Sequence, residues 1–332
     1  MNIRDRRGIR EFAGARLENC PEEKKIVLIY TALTLGLSAL VTVVNYALGL
    51  RIDHLGGLSN FGTKTVLSTI QSMTPIALSL ITMCVETGYL AAMLRIARGQ
   101  YVSPNTLRLG FDRFWVLLRS SLFQGLMYTS VLFLSIYVGI MVFMVSPLST
   151  EAVTVLSPYL TEVSALNPTL ELPEAVYTQF AAAVWPAYVI CGILFAAAAV
   201  PIWYGYRMVP YVIIDKPALG ALAAMRASKL MMHRNRFQLF RLDLSMWWYY
   251  LALLAAQAFC YGDVILPLLG VALPGDEDLW YFVFLAIYMV ILLAVYYFLR
   301  GRVEVSYGIA YDSIKPEEPR DGGVVLGNIF QM

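Results

Sequence analysis

The residues whose types could do chemistry here are ionisable and amide side chains set inside long apolar runs. Glu86 lies nine positions before Arg95, which on a helix puts it roughly 13 Å deeper. Arg119 and Gln124 occupy the first turns of the next apolar run, and Gln257 sits well inside a later one. A charge inside a bilayer is costly and carries a functional hypothesis by default. Glu86, Arg119, Gln124 and Gln257 are therefore the candidate intramembrane polar site. Glu86 is expected to pair with Arg119. The pair would be a gate or a proton or substrate site, or else a structural ion pair joining two spans, and the structural role is favoured. Glu304, beside Arg300 and Arg302, is expected at the membrane interface in a structural role, and Asp243 is expected to neutralise Arg241 or Arg207.

A second constellation is basic. Between Arg207 and Trp248 the residues Arg226, Lys229, His233 and Arg236 are spaced 3, 4 and 3, which on a helix makes one stripe. Leu219, Ala223, Ala227, Leu230 and Met231 fall on the other side, and Asp215-Lys216-Pro217 reads as a helix start. A helix with one basic and one apolar face lies flat in the headgroup region. Each exposed basic residue near an anionic lipid surface contributes about 1 kcal/mol, so the stripe is the candidate anionic-lipid site. A cytoplasmic or membrane protein partner and a simple topology signal are the alternatives. Nucleic-acid binding is not expected, because the basic residues are scattered among membrane anchors with no recognisable binding fold.

Signs of catalysis are missing. The chain has no P-loop, GxSxG, HExxH or GxGxxG. Cys20, Cys84, Cys191 and Cys260 show no CxxC spacing, and two histidines cannot build a multi-histidine centre. No enzymatic activity, metal or cofactor is expected.

The elements that must position these residues are membrane helices. The 332 residues are 59% hydrophobic and 14% charged, with mean hydropathy +0.64; a soluble domain carries about 25% charged residues. Stretches able to cross the roughly 30 Å hydrocarbon core recur at 26–50, 66–96, 114–145, 176–214, 242–269 and 279–299, the last continuing as helix through Asp312. The fold class is all-α: a polytopic membrane protein with six transmembrane helices and cytoplasmic interfacial amphipathic helices. Residues 1–25, with Ile9, Phe12, Ala13 and Leu17 at helical spacing, form a cytoplasmic amphipathic segment. Residues 26–312 form the membrane domain, and 313–332 a flexible cytoplasmic tail. Pro186, Pro201 and Pro210 are expected to kink or end the fourth span, and 150–166 to form a short helix outside the bilayer.

Of the 25 Lys and Arg, all but Arg51 and Lys64 fall in the N-terminal segment, the 2–3 and 4–5 connections with their adjoining helix ends, or the C-terminal region. The positive-inside rule then puts both termini in the cytoplasm. Three spans approach that side with Glu86-Thr-Gly-Tyr89, Trp203-Tyr-Gly-Tyr206 and Glu304-Val-Ser-Tyr307, a faint internal rhyme that would fit three repeated hairpins.

Several of these stretches carry a family resemblance. Glu86–Phe111 resembles the segment after the second span in an uncharacterised family of bacterial integral membrane proteins, domain of unknown function 975. Met208–Trp248, with Ser228 and Met232 in a Ser-x-x-x-Met pattern, is similar to that family's most recognisable stretch. A His-Arg-Asn-Arg turn stands where a Gly-basic turn is usual, and Leu242 to Trp247 fits the family's pattern loosely. Val303–Ile314 resembles the family's last helix end and Arg10–Asn19 its basic starting helix. The coverage is nearly full length, with a poor fit at 147–175 and 262–279. The resemblance implies a six-helix protein of the bacterial plasma (inner) membrane and no established activity. More distantly the chain looks like membrane domains attached to glycerophosphodiester phosphodiesterases.

The function expected is that of a non-enzymatic scaffold or accessory subunit acting through lipid or protein contacts. The alternative is a small-molecule or lipid transporter using Glu86, Arg119, Gln124 and Gln257. Reporter fusions after Met1 and before Met332 are expected to give a cytoplasmic signal at both ends. An external signal at either end would overturn the six-span threading.

Overall fold

A computed structural model describes residues 3–54, 61–160, 174–262, 265–266 and 277–316. Among the described residues every regular element is helical, so the all-α class holds. The helices are α1 (Arg6–Glu18), α2 (Glu22–His54), α3 (Phe61–Ala97), α4 (Leu109–Asp112), α5 (Phe114–Val145), α6 (Ser149–Leu160), α7 (Glu174–Tyr206) and α8 (Val209–Asp215). They continue with α9 (Ala221–Met232), α10 (Arg236–Ser245), α11 (Trp247–Cys260), α12 (Glu277–Val295) and α13 (Gly301–Ile314). A 3₁₀ turn at Pro104–Arg108 precedes α4, and a π-helical turn at Tyr296–Arg300 joins α12 to α13. The tail from 317 lies outside the described residues, as does the second part of the short helix expected at 150–166.

Five helices among the described residues are long and apolar enough to cross a membrane: Glu22–Ile52, Gly62–Ala97, Phe114–Val145, Gln179–Asp215 and Leu279–Ile314. The expected fifth span, 242–269, does not form one rod. The helix breaks at Met246, and α11 has 14 residues, about 21 Å of rise against a roughly 30 Å core. Hydrogen bonds mark the break. Met246 N–H turns back to the Asp243 carbonyl, and the freed Ser245 carbonyl accepts a hydrogen bond from Arg10 Nη1 at 2.8 Å. Helix ends leave carbonyls that need such partners.

Contacts divide the chain into two compact units, Met1–Ser120 with Tyr206–Met332, and Ser121–Gly205. In the second, Phe143, Ala152 and Ala183 form a small buried cluster, and Gly139 lies against Cys191. In the first, burial concentrates at one end of the helices. Ile9 and Ala13 of α1, Tyr89–Leu94 of α3, Val209 and Tyr211–Ile213 of α8, and Val303 with Val305–Tyr311 of α13 are all buried there. Elsewhere the spans present large apolar side chains outward, among them Leu40, Val66, Ile76 and Val290. This is the surface a lipid-embedded helix needs.

The segment Arg207–Trp248 departs from expectation. Asp215 closes α8 rather than opening a helix, and α9 starts after Gly220. The buried face of α9 is Ala221, Ala224, Met225, Ser228 and Met232, while Leu222 and Leu230 are exposed. The basic stripe is not continuous. The chain turns at His233-Arg234-Asn235, where Asn235 Nδ2 donates to the Met231 carbonyl at 2.9 Å and closes the end of α9. Arg226, Lys229 and His233 are exposed, and Arg236 opens α10 half-buried. At the other end of the chain, α1 is capped by Asp5, whose carboxylate accepts from Gly8 N–H at 3.0 Å. The buried Ile9 and Ala13 pack it against protein rather than leaving an apolar face open.

The 3₁₀ turn and α4 cross over α3 at backbone distance. A Cβ on Gly88 would overlap the Leu107 backbone, and one on Gly110 the Cys84 carbonyl. Neither site can yield by moving a side chain. Gly88→Ala is expected to lower stability by at least about 1–3 kcal/mol, the range for overpacking, read as a lowered Tm in detergent or nanodiscs. Gly36→Ala, where nothing lies within 4 Å of the new Cβ, should leave stability unchanged or raise it by up to about 1 kcal/mol.

Candidate functional site

The π-helical turn carries the residues around which the site forms. A π turn holds one more residue than an α turn and is common at functional positions. Tyr296 and Arg300 bound it, and Glu304 follows one turn later. Arg300 is 6% exposed. Its guanidinium carbon lies 4.6 Å from the Tyr30 ring centre, 4.6 Å from that of Tyr296 and 5.3 Å from that of Tyr89. Tyr30 and Tyr89 are themselves stacked at 4.3 Å. An aromatic cage of this kind supports a desolvated cation through ring quadrupoles.

Two carboxylates complete the surroundings. Arg300 Nη2 donates to Glu86 Oε1 at 2.9 Å, in a pair whose arginine side chain is 7% exposed and glutamate 51%. Glu304 Oε1 is 3.8 Å from Arg300 Nε, outside hydrogen-bond distance. Tyr211 donates to Glu304 Oε2 at 3.4 Å. Arg300 Nε is buried and makes no hydrogen bond among the described residues, and the same holds for the Tyr89 hydroxyl. A buried polar atom left so needs an explanation, which can be an unseen ion or water.

A second tyrosine–arginine set adjoins the first. Tyr307 donates to the buried Asp243 at 2.5 Å and shares a hydrogen bond with Tyr250 at 2.5 Å. The Arg207 guanidinium carbon sits 4.4 Å from the Tyr307 ring centre, and Asp243 is among the charges acting on it. Between the two sets lies a pocket of about 310 Å³. Arg207, Arg300, Glu86 and Glu304 line it, together with Tyr30, Tyr249, Tyr250, Tyr296 and Tyr307, and Leu253 and Val303 contribute the apolar part.

The sequence-derived polar site is assembled differently. Glu86 pairs with Arg300 and not with Arg119. Arg119 is exposed, Gln257 is exposed, and Gln124 is half-buried in the other compact unit; none of the three lines the pocket that Glu86 lines. The Glu304 side chain is only 15% exposed and lines the same pocket as Glu86. Tyr30, Tyr249, Tyr250, Tyr296 and Arg207 were missed as site residues. The available signal was the tyrosine that recurs at one end of three spans, in Glu86–Tyr89, Trp203–Tyr206 and Glu304–Tyr307, which put Glu86, Glu304 and Tyr307 in matching segments.

A separate charge cluster ties the same packed end together. Arg98 reaches Asp312 through two nitrogens, at 2.9 and 2.7 Å, and Asp215 at 2.8 Å. Lys315 adds a 3.1 Å contact to Asp215, which also accepts from Tyr311 at 3.2 Å. The hydrogen bonds that Arg98 donates to Asp312, with the further carboxylate of Asp215, raise its pKa above the ordinary value. Arg98 thus stays charged at every pH the fold meets. Among the described residues no three His, Cys, Asp or Glu side chains gather as a metal site, and all four cysteines are free thiols.

The chain matches the family described as "Protein of unknown function (DUF975)" over residues 4–300. No curated protein and no solved structure matches it. The distant likeness to glycerophosphodiester phosphodiesterase membrane domains is not shown.

Arg300→Gln removes a buried charge that its carboxylates and rings are arranged around. It is expected to cost about 3–5 kcal/mol. Glu86→Gln takes the hydrogen-bonded carboxylate from that buried guanidinium and should also destabilise, by a smaller amount, because Glu86 is half-exposed and Glu304 still faces the arginine. Thermal unfolding of both variants in one lipid environment checks the asymmetry.

Proposed function

We propose that this chain, which belongs to the DUF975 family of proteins of unknown function, is a non-enzymatic multi-pass membrane protein that acts by holding lipid. The headgroup enters the Arg–Tyr–Glu pocket, and the acyl chains follow the apolar outer surface of the spans. One observation carries the reading: a pocket lined by two guanidiniums, two carboxylates and five tyrosines at the packed end of helices whose outward faces are apolar. Sites of this form orient a ligand by a few placed polar groups.

The packed end belongs on the cytoplasmic face of a bacterial plasma membrane, with both termini there. Support comes from the placement of Lys and Arg and from the exposed Arg226, Lys229 and His233 on the same unit. These exposed residues contact anionic headgroups at the surface, in addition to the pocket. The sixth crossing that this threading requires is assigned to the stretch that contains α11.

Leu253 lines the pocket without taking part in its charge network, so Leu253→Trp fills the space and leaves the ion pairs in place. Protein is extracted in a lipid-preserving polymer and its bound lipid measured by mass spectrometry. The variant is expected to lose at least tenfold of the tightly retained lipid. Undiminished retention would overturn the pocket reading. Replacing Arg226 and Lys229 with Gln should weaken association with anionic vesicles by tenfold or more, at about 1 kcal/mol each. Pocket-bound lipid should stay unchanged in that variant.

A further inference from the structure

We infer that the pocket takes a phosphate–ammonium zwitterion, the chemistry of an ethanolamine phospholipid headgroup. The inference rests on reading the pocket as a headgroup site and adds which headgroup. The lining carries Arg207 and Arg300 against Glu86 and Glu304, two charges of each sign. A ligand of one sign only would meet like charge in the same partly enclosed site, which is expensive at low dielectric. A ligand that carries both signs on adjacent groups can set each against its opposite in the lining.

The two ends of the ligand have distinct receptors. Arg300 is 6% exposed, lines the pocket, and has an Nε that makes no hydrogen bond among the described residues. The Glu304 oxygen at 3.8 Å is too far to accept that proton. The phosphate is received by the two guanidiniums that line the pocket, Arg207 and Arg300, in the charge-assisted geometry that arginine favours with phosphate. Glu86 is the receptor for the ammonium. One of its oxygens is engaged by Arg300, and the side chain is 51% exposed, so acceptor capacity remains on the accessible side. Tyrosine rings at 249, 250 and 296 in the same lining add the aromatic faces that attract a cation.

Size points the same way. At about 310 Å³ the pocket is near the lower end of ligand sites, about 300–1,000 Å³. It has room for a headgroup and not for two acyl chains. Exposed Leu33, Leu251, Leu254 and Leu293 lie within three residues of pocket-lining positions and offer the chains an apolar path out. A water-soluble glycerophosphoethanolamine has the same polar chemistry without the chains, so the test separates the two sources.

Full-length protein in detergent is titrated with ethanolamine and glycerol phospholipids of identical acyl chains, and occupancy is read by native mass spectrometry. Glycerophosphoethanolamine serves as the soluble competitor. The ethanolamine lipid is expected to bind at least tenfold more tightly than the glycerol lipid. Glu86→Gln should erase that preference by weakening only the ethanolamine lipid, and Leu253→Trp should weaken both. If Glu86→Gln does not accumulate, the ranking of the two lipids on the wild-type protein decides alone. Competition by millimolar soluble compound upholds the chemistry and assigns a soluble source; failure to compete, with the preference intact, upholds a membrane lipid. Equal binding of both lipids, or preference for the glycerol lipid, overturns the zwitterion while Leu253→Trp sensitivity keeps the pocket. Binding insensitive to Leu253→Trp overturns both.

Discussion

A guanidinium withdrawn from water governs this fold. Moving such an ion out of solvent costs several kcal/mol even after relaxation, and Arg300 is 6% exposed in the last membrane helix. Its surroundings come from three helices: Tyr30 of α2, Tyr89 and Glu86 of α3, and Tyr296 and Glu304 of its own rod. No two of these helices can shift past each other without exposing the charge or stripping it of a partner. On α3 the demand meets a second constraint. Glu86 and Gly88 are two positions apart, about 200° around the helix. One face of α3 therefore serves Arg300 while the opposite face takes the crossing backbone of Leu107.

Away from that end the physics changes. The spans carry outward apolar side chains, and between helices in lipid there is little hydrophobic drive to close packing. The polar cage and the Arg98–Asp215–Asp312–Lys315 cluster therefore supply specific pairings that apolar surface alone would leave undecided. Both clusters draw on the last membrane rod, through Arg300 and Glu304 in one and Asp312 in the other, so that rod indexes the rest of the unit.

Much of this was legible in the sequence, and its limits are informative. Apolar run length located the five long helices, and the continuation of the last one through Asp312 followed from its unbroken pattern. The intramembrane cost of charge singled out Glu86 correctly as a residue needing a partner. The choice of Arg119 failed because sequence proximity of spans stood in for spatial adjacency, and helical periodicity holds no information about which rods touch. The basic stripe failed for a different reason. Its spacing ran on through His233 and Arg236, but Asn235 closes α9 with a side-chain bond to Met231, and asparagine competes with the helix at such positions. Asp215-Lys216-Pro217 looked like a helix start because the long-range need of Arg98 and Lys315 for that aspartate leaves no local trace. The Ser245 carbonyl at the Met246 break finds its partner in Arg10, more than two hundred residues away.

The π turn at Tyr296–Arg300 bears on how relatives of this chain are to be compared. Its extra residue rotates everything after it by roughly 100° relative to an uninterrupted α-helix. A lineage that deletes one residue there keeps the hydropathy profile, the composition and nearly every aligned identity. It nevertheless turns Glu304 and Tyr307 off the face that meets Arg300 and Asp243. Helix length between the aromatic run and the final tyrosine is thus a genetic mark of whether the pocket survives. A one-position gap there would carry more meaning than many substitutions elsewhere.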